Sequence, residues 1–226
     1  MPHTSHTVEQ ALGALRLHVV EMGGLAIDQV STSVRALLER DARLAEAVLS
    51  REATINNYDQ LIERDSITYI ALQQPVASDL RLVRGVTRTA IELERVGDEA
   101  KKIARFALHV ADSGDDAPVH AVARYLKHMA ELSVGLLRNA VRAADESDLA
   151  LARAVIAGDR ELNDEFETAM RQIISHVIED QRFMQATIDT IFALKGLERV
   201  GDHATNIAEQ VVYEVSGEMT AADAED

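Results

Sequence analysis

The sequence predicts an all-α fold made of two tandem three-helix bundles related by internal duplication. Only 3 prolines and 11 glycines occur in 226 residues, which suits long helices better than many short strands. Apolar residues recur every three or four positions, as on the buried face of a helix. The pentapeptide Glu-Arg-Val-Gly-Asp occurs twice, at 94–98 and at 198–202, and such self-similarity is the mark of a repeat architecture.

Three helices are expected in the first half of the chain. The first has an apolar seam that shifts after Gly23 and Gly24, where we expect a bend. The second begins near Asp41, a favourable N-cap residue, and continues without a break until Pro75. The third runs over 78–110 and has an acidic residue in its first turn, which suits the positive end of the helix dipole.

An acidic stretch rich in turn-forming residues, 112–118, divides the chain. It predicts one domain over residues 1–112 and a second over 113–226, the latter with an acidic C-terminal tail. Three more helical stretches are expected, near 118–144, 148–180 and 184–215.

The two halves match residue by residue. Asn56 corresponds to Asn163 at an offset of 107 residues, and Glu94 corresponds to Glu198 at an offset of 104. Three residues were therefore lost between these points, close to the turn that joins the second and third helices. Two bundles in tandem are the simplest architecture for such a chain.

Composition excludes several classes of function. The formal net charge of −15 argues against nucleic acid and against anionic lipid, since both are bound through Lys and Arg. The chain has no cysteine, so any metal must be held by oxygen or imidazole. There is no apolar run long enough to cross a membrane and no signal-like start, so we expect a soluble, cytoplasmic protein without direct membrane insertion.

Each pentapeptide places two carboxylates one helical turn apart. Glu94 and Asp98 share a helix face, as do Glu198 and Asp202. Like charges at this spacing destabilise a helix by roughly 0.2–0.5 kcal/mol, which invites a cation. A helical projection turns these acids away from the apolar seam, so we expect them on the outer, solvent-facing side.

Further oxygen ligands occur at matching places in the second helix of each half. These are Glu52 and Asn56 in the first half and Asp159 and Asn163 in the second. If the second and third helices are antiparallel neighbours, the rows converge on a hard or borderline cation. The alternative, a merely solvated acidic face, stays open.

The fourth residue of each pentapeptide is a glycine in the interior of a predicted helix. Gly97 and Gly201 each cost roughly 1 kcal/mol relative to alanine in a helix. Such a residue suggests that something approaches the backbone closely at this point. From the residue pattern, metal binding is the preferred interpretation.

The two sites are expected to differ. Lys102 lies four residues after Asp98 and is expected to form an ion pair with it. The matching residue in the second half is Asn206, which is neutral and able to act as a ligand. We therefore predict that the second site binds metal more tightly.

The sequence has no recognisable motif for several other kinds of functional site. A di-iron carboxylate protein uses Glu-x-x-His on two helices, and no glutamate in this chain has a histidine three residues later. No glycine-rich phosphate loop, dinucleotide fingerprint or Ser-His-Asp arrangement is recognisable. His203, next to Asp202, is as consistent with a solvent-exposed residue as with a ligand.

Taken together, these motifs resemble the PhoU family of phosphate-signalling regulators. The repeated Glu-Arg-Val-Gly-Asp matches the tract in the third helix of each PhoU bundle. Residues 75–81, Pro-Val-Ala-Ser-Asp-Leu-Arg, are similar to the family's Pro-x-Ala-x-Asp-Leu-Arg segment, and 198–209 is similar to its second-repeat signature. The resemblance covers nearly the whole chain.

The resemblance implies a negative regulator of phosphate uptake and of the phosphate-starvation response, without catalysis of its own. Such proteins link an ABC phosphate transporter, through its ATPase subunit, to a sensor histidine kinase; they reach the membrane through these partners and often form homodimers. The resemblance also implies multinuclear iron or zinc at Glu94, Asp98, Glu198 and Asp202.

Some alternatives stay open at this stage. Asp79 and Arg81 are either a surface ion pair near a helix cap or a contact for a partner. A metal-dependent phosphate-binding protein or weak hydrolase would use the same carboxylates. A purely structural helical scaffold, in which the acids only favour solubility, is the third possibility.

Overall fold

The computed structural model describes residues 2–114, 116–179 and 184–217, and every regular element in these ranges is a helix. The seven helices are α1 Pro2–Glu39, α2 Ala42–Ser50, α3 Glu52–Gln73, α4 Ser78–Ser113, α5 Ala117–Glu146, α6 Leu149–Glu179 and α7 Met184–Ser216. Within this described part, no helix combines the length and hydrophobicity that a membrane span requires.

The predicted pair of helical bundles is confirmed. In the first repeat α1, α3 and α4 pack on one another, with α2 against α1 and α4; in the second, α5, α6 and α7 form the matching bundle. The repeats join where α1 meets α5 and α4 meets α7. One continuous aliphatic core extends through both repeats, as expected for a chain poor in aromatic residues.

The second predicted helix is wrong in one respect, because it is divided at Arg51 into α2 and α3. The hydroxyl of Ser50 donates to the Ala47 carbonyl, which is the acceptor that the Arg51 amide would use in a regular α-helix. The Arg51 amide bonds to the Val48 carbonyl instead. In the second repeat the position of Ser50 is occupied by Ala157, and α6 continues without a break.

The predicted N-cap is confirmed, and it recurs in the second repeat. The Asp41 carboxylate accepts hydrogen bonds from the amides two and three residues further on, and Asp148 does the same at the start of α6. Each carboxylate satisfies amides that have no partner inside the helix. The repeats therefore begin their second helical segment by the same local chemistry.

The structure does not break α1 at the two adjacent glycines, Gly23 and Gly24, where a bend was expected. A Cβ added to Gly23 would lie 2.8 Å from both methyl carbons of Val141 in α5. Gly23 therefore allows α1 and α5 to approach closely, and its role is in the contact between the two repeats.

The glycines of the two pentapeptides have the same kind of role. A Cβ on Gly97 would lie 2.9 Å from the Ile55 side chain of α3, and one on Gly201 would overlap the Leu162 side chain of α6. The close approach that the sequence suggested is confirmed. It is made by an aliphatic side chain of the neighbouring helix.

A buried polar cluster centred on Glu92 ties α4 to α7. Glu92 Oε2 lies 2.7 Å from His203 Nδ1 and accepts a hydrogen bond of 3.1 Å from Asn206 Nδ2. Its other oxygen accepts from Arg95 at 3.1 Å. Burial acts to raise the pKa of Glu92, but the hydrogen bonds from His203 and Asn206 outweigh it and lower the pKa. The ionised form of Glu92 is thus part of the contact between the repeats.

We predict that Gly201→Ala lowers the free energy of unfolding by up to about 2 kcal/mol. Overpacking against Leu162 costs about 1–3 kcal/mol, which offsets or exceeds the roughly 1 kcal/mol that alanine gains in a helix. Gly135→Ala is the control, because nothing lies within 4 Å of its added Cβ, and it should stabilise the protein by about 0.5–1 kcal/mol. Urea unfolding of both variants checks this, and equal stabilisation by both would contradict it.

We predict that Glu92→Gln destabilises the protein at pH 7 by about 1.5–3 kcal/mol, as for hydrogen bonds to a charged group. Because the folded pKa of Glu92 lies below its ordinary value of 4.5, its contribution is complete above that pH and is lost as pH falls through the folded pKa. The difference between wild type and variant should therefore shrink in acid. Unfolding curves between pH 7 and pH 3 measure it, with exposed Glu131→Gln as the control; a difference constant with pH would contradict this assignment.

Candidate metal centre and the cavity between the repeats

The first carboxylate site lies where the start of α3 packs beside the middle of α4. Glu52 and Asn56 belong to α3, and Glu94 and Asp98 belong to α4. All four are partly buried, so the expectation of an outward, solvent-facing row is confirmed only in part: 41% of the Asp98 side chain is exposed and the matching Asp202 is exposed, but α3 covers the rest of the row. The projection of α4 alone could not show that α3 covers this face.

Lys101 occupies the first site with its ammonium group. Its Nζ donates to Asp98 Oδ1 at 2.7 Å and to Glu52 Oε1 at 2.5 Å, and only 15% of its side chain is exposed. Burial acts to lower the pKa of Lys101, but the hydrogen bonds to Asp98 and Glu52 outweigh it and raise the pKa. The protein itself therefore supplies a permanent cation here.

The prediction of an ion pair between Lys102 and Asp98 is wrong. Lys102 Nζ lies 2.8 Å from Glu99 Oε1, and it is Lys101, at a spacing of three residues, that contacts Asp98. Spacings of three and of four both bring side chains together on a helix. Sequence spacing could not decide between these two adjacent lysines.

The second site is built from the matching residues of α6 and α7. Asp159 and Asn163 belong to α6, and Glu198 and Asp202 belong to α7. Asn163 Nδ2 donates to Asp159 Oδ2 at 2.8 Å, and Lys195 forms an ion pair with Glu198. The two helix faces predicted to meet therefore do meet.

Oxygen atoms without hydrogen bonds distinguish the second site from the first. Asp159 Oδ1 and Asn163 Oδ1 are buried and accept no hydrogen bond, whereas Glu198 Oε2 contacts the ammonium group of Lys195. Thr205, which stands where the first repeat has Lys101, also has a buried hydroxyl without a partner. The hydroxyl of Thr205 is shorter than the ammonium group of Lys101, and the oxygens of Asp159 and Asn163 remain unsatisfied although Lys195 pairs with Glu198; unsatisfied buried polar groups are costly.

The electrostatics of the second site indicate crowded negative charge. Burial raises the pKa of Asp159, and the neighbouring Glu198 raises it further. Burial, Glu198 and Asp159 together raise the pKa of Asp202. In the first site burial and the nearby Asp98 and Asp59 raise the pKa of Glu94 in the same way. The raised pKa values of Asp159, Asp202 and Glu94 thus have burial as their main cause and neighbouring carboxylates as the second.

The fit to a metal differs between the two sites. The second site offers carboxylate, amide and hydroxyl oxygens, several of them unsatisfied, which are suitable ligands for a hard or borderline cation. In the described part of the chain, no three His, Cys, Asp or Glu side chains are already grouped around one ion position. The second site therefore fits a metal by its chemistry, with side-chain adjustment. The first does not fit, because Lys101 occupies it.

Asn206 lies away from the second site. Its amide donates to Glu92 across the contact between the repeats, so the structure does not group it with Asp202 as a ligand. The Glu92 cluster was missed by sequence reasoning. The available signal was that Glu92 corresponds to Gly196 at the offset of the second pentapeptide, which shows that the two faces are not equivalent.

Asp79 and Arg81, the residues considered as partner contacts, lie in different environments. Asp79 is exposed in the first turn of α4. Arg81 turns toward α7, where its Nε donates to the Glu214 carbonyl at 3.4 Å. Arg81 thus helps to join the repeats at the C-terminal end of α7, where a cation is favoured by the helix dipole.

An open cavity of about 370 Å³ lies between the two pentapeptides. Asp98 and Asp202 both line it, as do Arg95 and Arg199, so equivalent residues of the two repeats face each other. Glu99, Lys102 and His203 complete the lining. The packing of α4 on α7 thereby brings the edges of both carboxylate sites to one shared space.

Comparisons with known proteins agree with this architecture. The PhoU domain profile matches twice, over residues 19–107 and 126–211. A protein of Pseudomonas putida named phosphate-specific transport system accessory protein PhoU homolog is 37% identical over 215 residues, covering 95% of this chain and 83% of its own. The homolog of the same name in Caulobacter vibrioides is 36% identical over 218 residues, covering 95% and 94%.

Solved structures show the same relationship. The crystal structure of PhoU from Pseudomonas aeruginosa has a TM-score of 0.88 and 35% identity, covering 93% of this chain and 99% of that one. The phosphate transport system regulatory protein PhoU from Streptococcus pneumoniae has a TM-score of 0.85 at 25% identity, covering 94% and 99%. In sequence and in fold, over nearly its whole length, the chain belongs to the PhoU family.

Proposed function

We propose that this protein is a cytoplasmic regulator of phosphate uptake and of the phosphate-starvation response. It acts as an adaptor between the ATPase subunit of an ABC phosphate transporter and a sensor histidine kinase, and it has no catalytic activity of its own. The observation that carries the proposal is that relatives named as phosphate-specific transport system accessory proteins match 95% of the chain, including both repeats.

The mechanism of such an adaptor is differential binding. A ligand shifts an equilibrium only by the difference in its affinity for the two states, so the protein must bind the inactive or phosphatase state of the kinase better than the active state. A continuous core joins the two repeats, which supports a scaffold that holds two partner surfaces in a constant relation. Asp79, exposed at the start of α4, remains a proposed partner contact.

We also infer that the protein holds a divalent cation in the second repeat. Asp159, Asn163, Glu198 and Asp202 would hold it, with Thr205 beside them. The cation, iron or zinc by the family resemblance, would neutralise the crowded carboxylates and satisfy their buried oxygens. The buried oxygens of Asp159 and Asn163 and the buried hydroxyl of Thr205, which have no hydrogen-bond partner, support this assignment.

The alternative of a phosphate-binding protein or weak hydrolase is less well supported. The cavity between the pentapeptides has the arginines that an anion site needs. However, its three permanent cations, Arg95, Lys102 and Arg199, are matched by the three carboxylates of Asp98, Glu99 and Asp202. A phosphate dianion would meet no net positive charge there, so adaptor function is preferred.

We predict that metal binding depends on the second repeat. Adding Zn²⁺ or Mn²⁺ to metal-free protein should raise the melting temperature by about 2–4 °C for each kcal/mol of binding. Asp202→Asn should abolish this rise, and the matched Asp98→Asn should keep it. Lys101→Thr, which gives the first repeat the residue of the second, should add a second binding event in calorimetric titration. Loss of the rise in Asp98→Asn alone would contradict the assignment.

We predict that a strain lacking this gene expresses its phosphate-starvation genes even in abundant phosphate. The physical reason is that nothing then biases the kinase toward its inactive state. A reporter of a starvation-induced promoter measures this, and the intact gene returned on a plasmid is the control. Normal repression in the deletion strain would overturn the regulatory role. Failure of the purified protein to bind the cytoplasmic part of either partner would overturn the adaptor mechanism.

A further inference from the structure

The first repeat has an apolar groove between α3 and α4, on a different face of α4 from the one through which Glu92 contacts α7. Its cavity has a volume of about 420 Å³, within the range of about 300–1,000 Å³ found for ligand sites. The floor is formed by the buried residues Ile62, Ser66, Val83 and Ala90. Nothing in the established family membership assigns a role to this groove.

The second repeat shows why the groove exists. Ile62 and Val83 correspond to the smaller Ala169 and Thr187, but at four other matching positions of α6 and α7 the second repeat has larger side chains. The pairs are Asp59 and Phe166, Ser66 and Ile173, Thr87 and Ile191, and Ala90 and Leu194. Ile173 and Leu194 are fully buried, and Phe166 and Ile191 pack against the core. In the first repeat, the smaller residues at these four positions leave the groove open.

The floor of the groove has an unsatisfied polar atom. Ser66 is only 2% exposed, and its hydroxyl has no hydrogen-bond partner in the structure. A buried hydroxyl without a partner costs about 1–3 kcal/mol. Its position in the lining of a cavity suggests that an occupant of the groove supplies the missing contact.

The rim of the groove suits a macromolecule better than a small molecule. Ile67, Ile70, Leu80 and Ile91 line the cavity and yet are 41–61% exposed. Apolar exposure continues at the adjoining helix turn, where Leu72 and Val76 are more than 70% exposed. Contiguous apolar patches rimmed by polar residues mark interaction surfaces for other proteins.

The charges at the groove select a basic occupant. Asp59 and Glu63 lie at the end next to Ile91. Arg84, the basic residue of the lining, is engaged by α7: it donates to Gln210 at 3.3 Å and lies 5.0 Å from the centre of the Tyr213 ring. These contacts hold the guanidinium of Arg84 toward α7, and the two carboxylates of the lining outnumber it, so a Lys or Arg of the occupant would be favoured at the end with Asp59 and Glu63.

We propose that this groove binds an amphipathic helix of a partner protein, with apolar residues at i, i+3, i+4 and i+7 and a basic residue at one end. Helices dock in this way into apolar grooves between two other helices. From Asp59 to Ile70 the groove extends for about 16 Å, given the rise of about 1.5 Å per helical residue, which is about three turns of a bound helix. The proposal concerns a different surface from the metal centre and does not require the adaptor function.

The test measures binding of a fluorescent synthetic peptide to the full chain by anisotropy. The probe is a helix-forming peptide of about four turns with leucines at i, i+3, i+4 and i+7 and two arginines at one end. The control peptide has the same composition in an order that places no leucines on one face. Saturable binding of the first peptide and not of the second is expected.

Protein variants locate the site. Ser66→Ile combined with Ala90→Leu fills the groove with the residues of the second repeat, and it should weaken binding at least about tenfold. Ile67→Glu should do the same from the exposed rim, so the test does not depend on how well the filled variant folds. Ile174→Glu, the matching exposed position of the second repeat, is the control and should bind like wild type.

The outcomes that would overturn the proposal are distinct. They are no saturable binding of the amphipathic peptide, equal binding of the scrambled peptide, or unchanged binding by both groove variants. Sedimentation provides the last outcome: a dimer that Ile67→Glu dissociates and Ile174→Glu does not would show that a second copy of this chain occupies the groove. None of these results depends on the deletion strain, so the failure of the groove and the failure of the regulatory role remain distinguishable.

Discussion

The packing of α4 against α7 is the constraint on which the other features depend. These helices carry the two pentapeptides, and their contact joins the cores of both repeats into one. Helices α4 and α7 pack against each other, and each uses another face to pack against a further helix: α3 packs on α4, and α6 packs on α7. The carboxylates consequently lie in the seams between helices, half-buried, and their charge has to be balanced locally.

Two identical pentapeptides meet that requirement in different ways. In the first repeat Lys101 reaches across the seam to Asp98 and Glu52. In the second, Thr205 is too short to do so: Lys195 pairs with Glu198, but Asp159 Oδ1 and Asn163 Oδ1 remain without hydrogen bonds. A residue outside the repeated pentapeptide, Lys101 in one repeat and Thr205 in the other, thus decides whether the site needs an external cation. The identity of the carboxylates alone does not.

Internal duplication provides a reference for each feature of the chain. Ser50 divides a helix that is continuous in the second repeat, where Ala157 stands in its place. Ser66 and Ala90 open a groove that Ile173 and Leu194 fill. In both cases the backbone architecture is kept while one or two side chains change volume or hydrogen bonding. The repeats share a fold and have diverged in the surfaces and sites they present.

The sequence by itself determined the helical class, the number of repeats, the ends of most helices and the Asp41 cap, because these follow from periodicity and local hydrogen bonding. The sequence also predicted correctly that the row of Asp159 and Asn163 in α6 faces the row of Glu198 and Asp202 in α7. Only the tertiary structure decided that Lys101 and not Lys102 meets Asp98, and that Asn206 turns to Glu92. The physical reason is that these choices depend on which neighbouring helix covers a face. A single helix projected in isolation contains no information about that neighbour.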